Sequence, residues 1–189
     1  MIDTHCHLTF PQLRECVDEV VADARAAGVD RMITVGTTPA DVFDARDLAG
    51  RFDGVYFTAG VHPHVAEAFD GDVEPFRDLL RADPVVAVGE IGLDYHYEYS
   101  AREPQLRVFE LFLRIAAEEG LPAVIHCRDA FEDCFRVLDA ALPSGHPFEI
   151  HCFTGRPEEA HMVVERGGVL SFNGIVTFRQ ADNVRESLR

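Results

Sequence analysis

The sequence predicts an α/β protein of the TIM-type (β/α) barrel class, with seven strands visible. Three observations predict it. Apolar runs of strand length alternate with helix-length stretches along the chain, the pattern of an α/β fold. The strand candidates are nearly continuous in apolar residues, as in Val85-Val86-Ala87-Val88, which suits a parallel sheet covered on both faces. Histidines and a glutamate recur where those runs end, and such barrels gather their chemistry at the C-terminal ends of their strands.

Taken in order, the strand candidates are residues 1–5, 31–36, 55–61, 85–90, 122–126, 148–151 and 169–173. Helix patterns fill the intervals at 11–27, 39–51, 73–82, 102–119, 130–142 and 157–165, and a last helix covers 181–188. Gly28 and Gly120 stand where helices stop, because glycine adopts the left-handed conformation that ends them. Pro39 and Pro157 suit first-turn positions, where a missing N–H costs nothing. A closed barrel needs eight strands and about 250 residues. Residues 1–189 therefore read as one barrel domain, truncated at its C-terminus, with the eighth strand missing.

Composition bounds the function. A hydrophobic content of 47% is that of an ordinary globular protein. No basic start is followed by an apolar leader, and no apolar run is long enough to cross a bilayer. A cytoplasmic location and no membrane partner are expected. The net charge of −16 excludes a broad basic face for nucleic acid. It does not exclude a nucleic-acid substrate, since bound divalent ions create a local positive field. All 17 basic residues are arginine. The five cysteines form no framework and are expected to be reduced. Cys6, Cys127 and Cys152 each follow a histidine. Neighbours on a strand face opposite ways, so these cysteines are expected to pack against the helices if the histidines face the barrel mouth.

The candidate site is the set of polar strand ends. His5 and His7 close strand one, His62 and His64 follow strand three, and Glu90 closes strand four. His126, His151 and Asn173 close strands five, six and seven. Packing alone has no reason to collect imidazoles and a carboxylate at one end of a barrel. Residues i and i+2 of a strand share a face, so His5 and His7 can bind one metal. Glu90 has two oxygens and can bridge to a second ion held by His126 and His151. Two divalent ions are expected, zinc, manganese or magnesium. Glu90 and His62 are the candidate catalytic residues, and His62, His64, Arg128 and Asn173 the candidate substrate contacts. His62 could equally cap its loop, and Arg128 could pair with Asp129. Asp94 is expected to brace a neighbouring ligand. Tyr95, His96, Tyr97 and Tyr99 form either a surface for stacking bases or a plain loop wall.

These motifs resemble the TatD-type metal-dependent deoxyribonuclease family along the whole chain. The resemblance is carried by Ile2-Asp3-Thr4-His5-Cys6-His7-Leu8, Gly60-Val61-His62-Pro63-His64 and Gly89-Glu90-Ile91-Gly92-Leu93-Asp94-Tyr95. It continues through Pro122-Ala123-Val124-Ile125-His126-Cys127-Arg128-Asp129-Ala130, His151-Cys152-Phe153-Thr154-Gly155 and Ser171-Phe172-Asn173-Gly174-Ile175-Val176-Thr177-Phe178. It implies phosphodiester hydrolysis, mainly in DNA, by exonuclease trimming with a two-metal-activated water. It implies one metal on His5, His7 and Glu90 and another on Glu90, His126 and His151. It also implies a Glu-Thr-Asp segment on strand eight, whose aspartate completes the first metal site and has no counterpart in residues 1–189. Lower activity than in a relative with that segment is expected. Three other functions stand beside this one. An amidohydrolase of small esters or amides is one, without the carboxylated-lysine bridge, since the chain has no lysine. A deacylase of D-aminoacyl-tRNA is another. The third is an inactive fragment or pseudoenzyme that associates through open strand edges.

Overall fold

The computed structural model describes residues 1–189. Seven parallel strands form one sheet in the order β1 to β7: β1 (Ile2–Cys6), β2 (Arg31–Val35), β3 (Val55–Ala59), β4 (Val85–Asp94), β5 (Ala123–Arg128), β6 (Phe148–His151) and β7 (Val169–Leu170). Each strand pairs with its sequence neighbours, and β1 and β7 are the two edges. The sheet is a barrel wall that does not close on itself.

The helices are α1 (Pro11–Arg14), α2 (Val17–Ala26), α3 (Asp41–Arg51), α4 (Glu74–Leu80), α5 (Arg102–Glu119), α6 (Phe131–Ala141), α7 (Pro157–Glu165) and α8 (Asp182–Ser187). α5 shows why they form. Val108, Phe109, Phe112, Leu113 and Ala116 recur at helical spacing, are buried, and give it one apolar face. Gly120 ends it in the left-handed conformation, at φ 68°. Phe112 meets Phe76 of α4 edge-on, with ring centroids 5.0 Å apart, so α4 and α5 lock over the sheet.

Three predicted elements differ. The helix expected over 11–27 is broken at Glu15-Cys16; α1 buries no residue, while α2 buries Val17 and Val21 and follows the core. A 3-10 helix, Pro63–Ala68, stands where a loop was expected. The strand expected over 169–173 stops at Leu170. There Ser171 accepts from Phe153 N–H, and its hydroxyl accepts from Cys152 N–H, so the ladder with β6 is lost. Asn173 consequently does not close a strand; it caps a second 3-10 helix, Gly174–Thr177.

Candidate metal centre

β4 and β5 build the middle of the site. β4 does not stop at Glu90, as expected, but runs on to Asp94 with its partner residues in register from Ile91↔Ile125 to Asp94↔Arg128. The register shifts between Val88 and Ile91, and Glu90 N–H turns to the Gly36 carbonyl. Glu90, Gly92 and Asp94 share a strand face. Gly92 is paired with His126. Its φ of 139° is open to glycine, and a Cβ there would collide with the His126 carbonyl oxygen. The bare glycine leaves the His126 ring between two carboxylates: Nδ1 is 3.1 Å from Glu90 Oε1 and Nε2 is 2.9 Å from Asp94 Oδ2.

The other histidines surround this pair. His5 Nε2 lies 3.4 Å from Glu90 Oε2, and His62 Nε2 lies 3.8 Å from Glu90 Oε1. His64 Nε2 lies 3.0 Å from the same Asp94 oxygen that His126 uses. His151 stacks flat on His5, with centroids 3.3 Å apart and planes 9° from parallel. His5 belongs to β1 and His151 to β6, so the two sides of the open sheet touch here. A cavity of about 390 Å³ opens over these groups, lined by His7, His62, His64, Glu90, His126 and His151, and also by Phe10 and Cys152. A cavity of similar size, about 430 Å³, around Leu138, Pro143 and Arg166, contains none of them.

Charge follows burial and contact. Burial alone would raise the Glu90 carboxyl, but the contacts from His126 and His5 outweigh it and hold Glu90 well below the usual carboxylate range. Asp94 is likewise held low, against burial, by His126, the Tyr97 N–H and His64. Burial also opposes the charge on His126, yet Asp94 and Glu90 together lift it to about 9. Burial pushes His62 down to about 3 and His151 to about 4, and it lowers His7. Two ionised carboxylates therefore sit beside a His126 whose charged form they favour, while burial favours the neutral forms of His7, His62 and His151.

The donor set fits a divalent ion. His5, His7 and Glu90 place one ligand atom each within 4.8 Å of one another, and His62, His64 and His126 do the same. Both nitrogens of His5 and Nδ1 of His7 are buried without a hydrogen-bond partner. A buried polar atom left unpaired costs about 1–3 kcal/mol, and a coordinated cation removes that cost.

The TatD related DNase family matches residues 2–189. This chain belongs to that family. It is a metal-dependent hydrolase. It is 37% identical to the metal-dependent hydrolase YcfH of Escherichia coli K12, over 100% of this chain and 72% of that protein. It is 39% identical to the 3'-5' ssDNA/RNA exonuclease TatD of Cronobacter sakazakii, over 93% of this chain and 67% of that protein. Among solved structures, the TatD homolog YjjV of Escherichia coli K12 superposes with a TM-score of 0.89 at 28% identity, covering 100% of this chain and 73% of that one.

Within this TatD chain the expected residues are not all placed alike. His5, His7 and Glu90 come together as expected. His126 reaches Glu90, but its nearest donor group is His62 and His64, and His151 is turned onto His5. His62 both caps and faces the site, since its Nδ1 accepts from His64 N–H. Arg128 lies over the Tyr97 ring, 5.1 Å from its centroid, while Asp129 turns to His96. Asn173 is occupied by Cys152 and Ile175 and does not line the cavity. Cys6 and Cys127 pack away from the mouth as expected, whereas Cys152 does not. It lies beyond the end of β6 with φ 48°, and that turn brings it to the cavity wall. Gln105 was not expected at all: it is fully buried, accepts from Asp94 N–H, and donates to the Asp94 and Ser100 carbonyls. A lone glutamine on an apolar helix face was its one visible signal.

No helix is long and apolar enough to cross a membrane.

Proposed function

We infer that this TatD protein hydrolyses phosphodiester bonds in nucleic acid, with DNA as substrate, and trims strands as an exonuclease. Residues 1–189 act as a single barrel domain in this reaction. His5, His7 and Glu90 would hold one divalent ion, and Glu90, His126 and His151 a second; magnesium, manganese and zinc all suit these donors. The observation that carries this is the set of three orphaned imidazole nitrogens on His5 and His7, buried beside the ionised Glu90. Bound divalent ions supply an activated water and neutralise charge at the phosphate oxygens.

The protein's own groups supply position and protons. His62 Nδ1 accepts a hydrogen bond, so its proton rests on Nε2, the atom that faces Glu90 and the cavity. Burial keeps this ring neutral, so it offers a phosphate oxygen a hydrogen bond rather than a charge. His64 and Arg128 stand on the same side and are suited to the substrate strand. Asp94 fixes His64 and His126 at once, which orients both rings before substrate arrives.

The test is hydrolysis of end-labelled single-stranded DNA with added magnesium or manganese, beside lactones and simple amides. Stepwise loss of terminal nucleotides is expected, abolished by chelator. Glu90→Gln should lose both turnover and bound metal by elemental analysis. Turnover of lactones with no cleavage of DNA would overturn the assignment.

A further inference from the structure

Beside the metal centre stands an aromatic surface with no structural task in the core. Tyr97 and Tyr99 are 49% and 67% exposed. Their rings are parallel within 2°, with centroids 5.6 Å apart. Both meet His64 edge-on, at 5.8 and 4.8 Å. Arg128 lies against Tyr97 at 5.1 Å. Of the rest of the predicted aromatic cluster, the Tyr95 hydroxyl donates to Asp133, while His96 meets Asp129 and packs edge-on against Tyr97 at 4.7 Å. Across the cavity from His64, Phe10 stacks on His7 at 4.4 Å and is 43% exposed. Exposed rings therefore adjoin the cavity through a histidine on each side.

We propose that Tyr97 and Tyr99, backed by Arg128, form a stacking platform for an unpaired nucleobase next to the scissile phosphate, with Phe10 receiving a base on the other side. The proposal rests on the nuclease reading and names the residues that select base-bearing, single-stranded substrate. Three features carry it. Exposed parallel rings cost apolar surface in water and suit a flat partner. The loop that bears them is held in place before any ligand arrives: Asp94 Oδ1 accepts from His96 N–H and Tyr97 N–H at 3.0 and 2.8 Å, and the Ser100 hydroxyl donates to the His64 carbonyl. The chain's net charge is −16, so no broad basic surface attracts the backbone, and stacking adds to the affinity that bound divalent ions would supply. A base inside a duplex presents no free face, so duplex DNA is excluded from this platform.

The experiment measures binding, separately from turnover. Magnesium-loaded protein is titrated into fluorescein-tagged, phosphorothioate-linked oligomers, one carrying thymine bases and one abasic, and anisotropy is read. The base-bearing oligomer should bind about tenfold tighter or more, the factor that one stacked base contributes. In the double variant Tyr97→Ala/Tyr99→Ala that ratio should fall to near one; in Tyr97→Phe/Tyr99→Phe it should persist. Equal binding of the two oligomers by the unaltered protein, or an unchanged ratio in the alanine variant, overturns the platform. Hydrolysis of bis(p-nitrophenyl) phosphate by the unaltered protein is run in parallel. Turnover without base preference defeats the platform alone. Tyrosine-dependent base preference without turnover of any phosphodiester defeats the nuclease reading and leaves the platform standing.

Discussion

Asp94 gives its two oxygens to two different structures. Oδ2 meets His64 and His126, and Oδ1 accepts the backbone N–H groups of the tyrosine loop. Asp94→Asn keeps the shape but makes one of those contacts repulsive or unpaired. Metal affinity, read by titration calorimetry, should fall about 10–100-fold, the usual effect of removing a brace behind a metal ligand. A second residue-scale consequence concerns pH in chelator-treated protein. His126 is raised to about 9, so its stabilising contribution is complete below its ordinary value of 6.5 and is lost as pH rises through 9. His62 and His151 are lowered to about 3 and 4, so their neutral forms favour folding above 6.5. That contribution is lost as pH falls towards 4 and then 3. His126 opposes the other two, and the balance turns near 6.5. Thermal melts from pH 4 to 9 should peak there. The acid side should fall more steeply than the alkaline side, since His62, His151 and His7 are all lowered and His126 alone is raised, each proton about 1.4 kcal/mol per pH unit. A monotonic rise from 4 to 9 would contradict these charge assignments.

At the scale of elements, the site depends on how β4 lies against β5. Gly92→Ala should destabilise the protein by about 3 kcal/mol or more in chemical denaturation, since the backbone is in a glycine conformation and the added carbon meets a carbonyl. The position and order of the strands were legible because apolar runs ending in histidine carry both signals locally. So was the grouping of His5, His7 and Glu90, because strand periodicity and the shared strand end predict it. The Asp94–Gln105 pairing was not legible. It depends on which residue of β4 faces His126, and no local pattern records a register shift at Gly89-Glu90. The same holds for Asn173. Its place at a strand end was read from an apolar run, but Cys152 leaves the ladder and ends the pairing early. The break at Glu15-Cys16 and the 3-10 helix Pro63–Ala68 are too short to have a periodicity of their own.

For the whole molecule, a charge of −16 separates two ways of binding nucleic acid. A basic surface would lose affinity steeply with salt; stacking beside metal ions would not. Raising sodium chloride from about 50 to 200 mM should weaken oligonucleotide binding by less than about tenfold, whereas chelation should remove it. Fluorescence anisotropy at both salt levels, with and without chelator, measures this directly. The stacked His5 and His151 rings have a mechanical consequence as well. β1 and β7 are the edges of the sheet, and those two imidazoles join β1 to β6 at the mouth. Glu90, shared by the donor sets that His5 and His151 belong to, would join the two sides like the clasp of a bracelet once ions are bound. Fastened, it would hold β1 and β6 at a fixed distance across the mouth. Without ions, the stacked rings remain the contact between these strands, and the width of the pocket would then answer to the ions as well as to the chain.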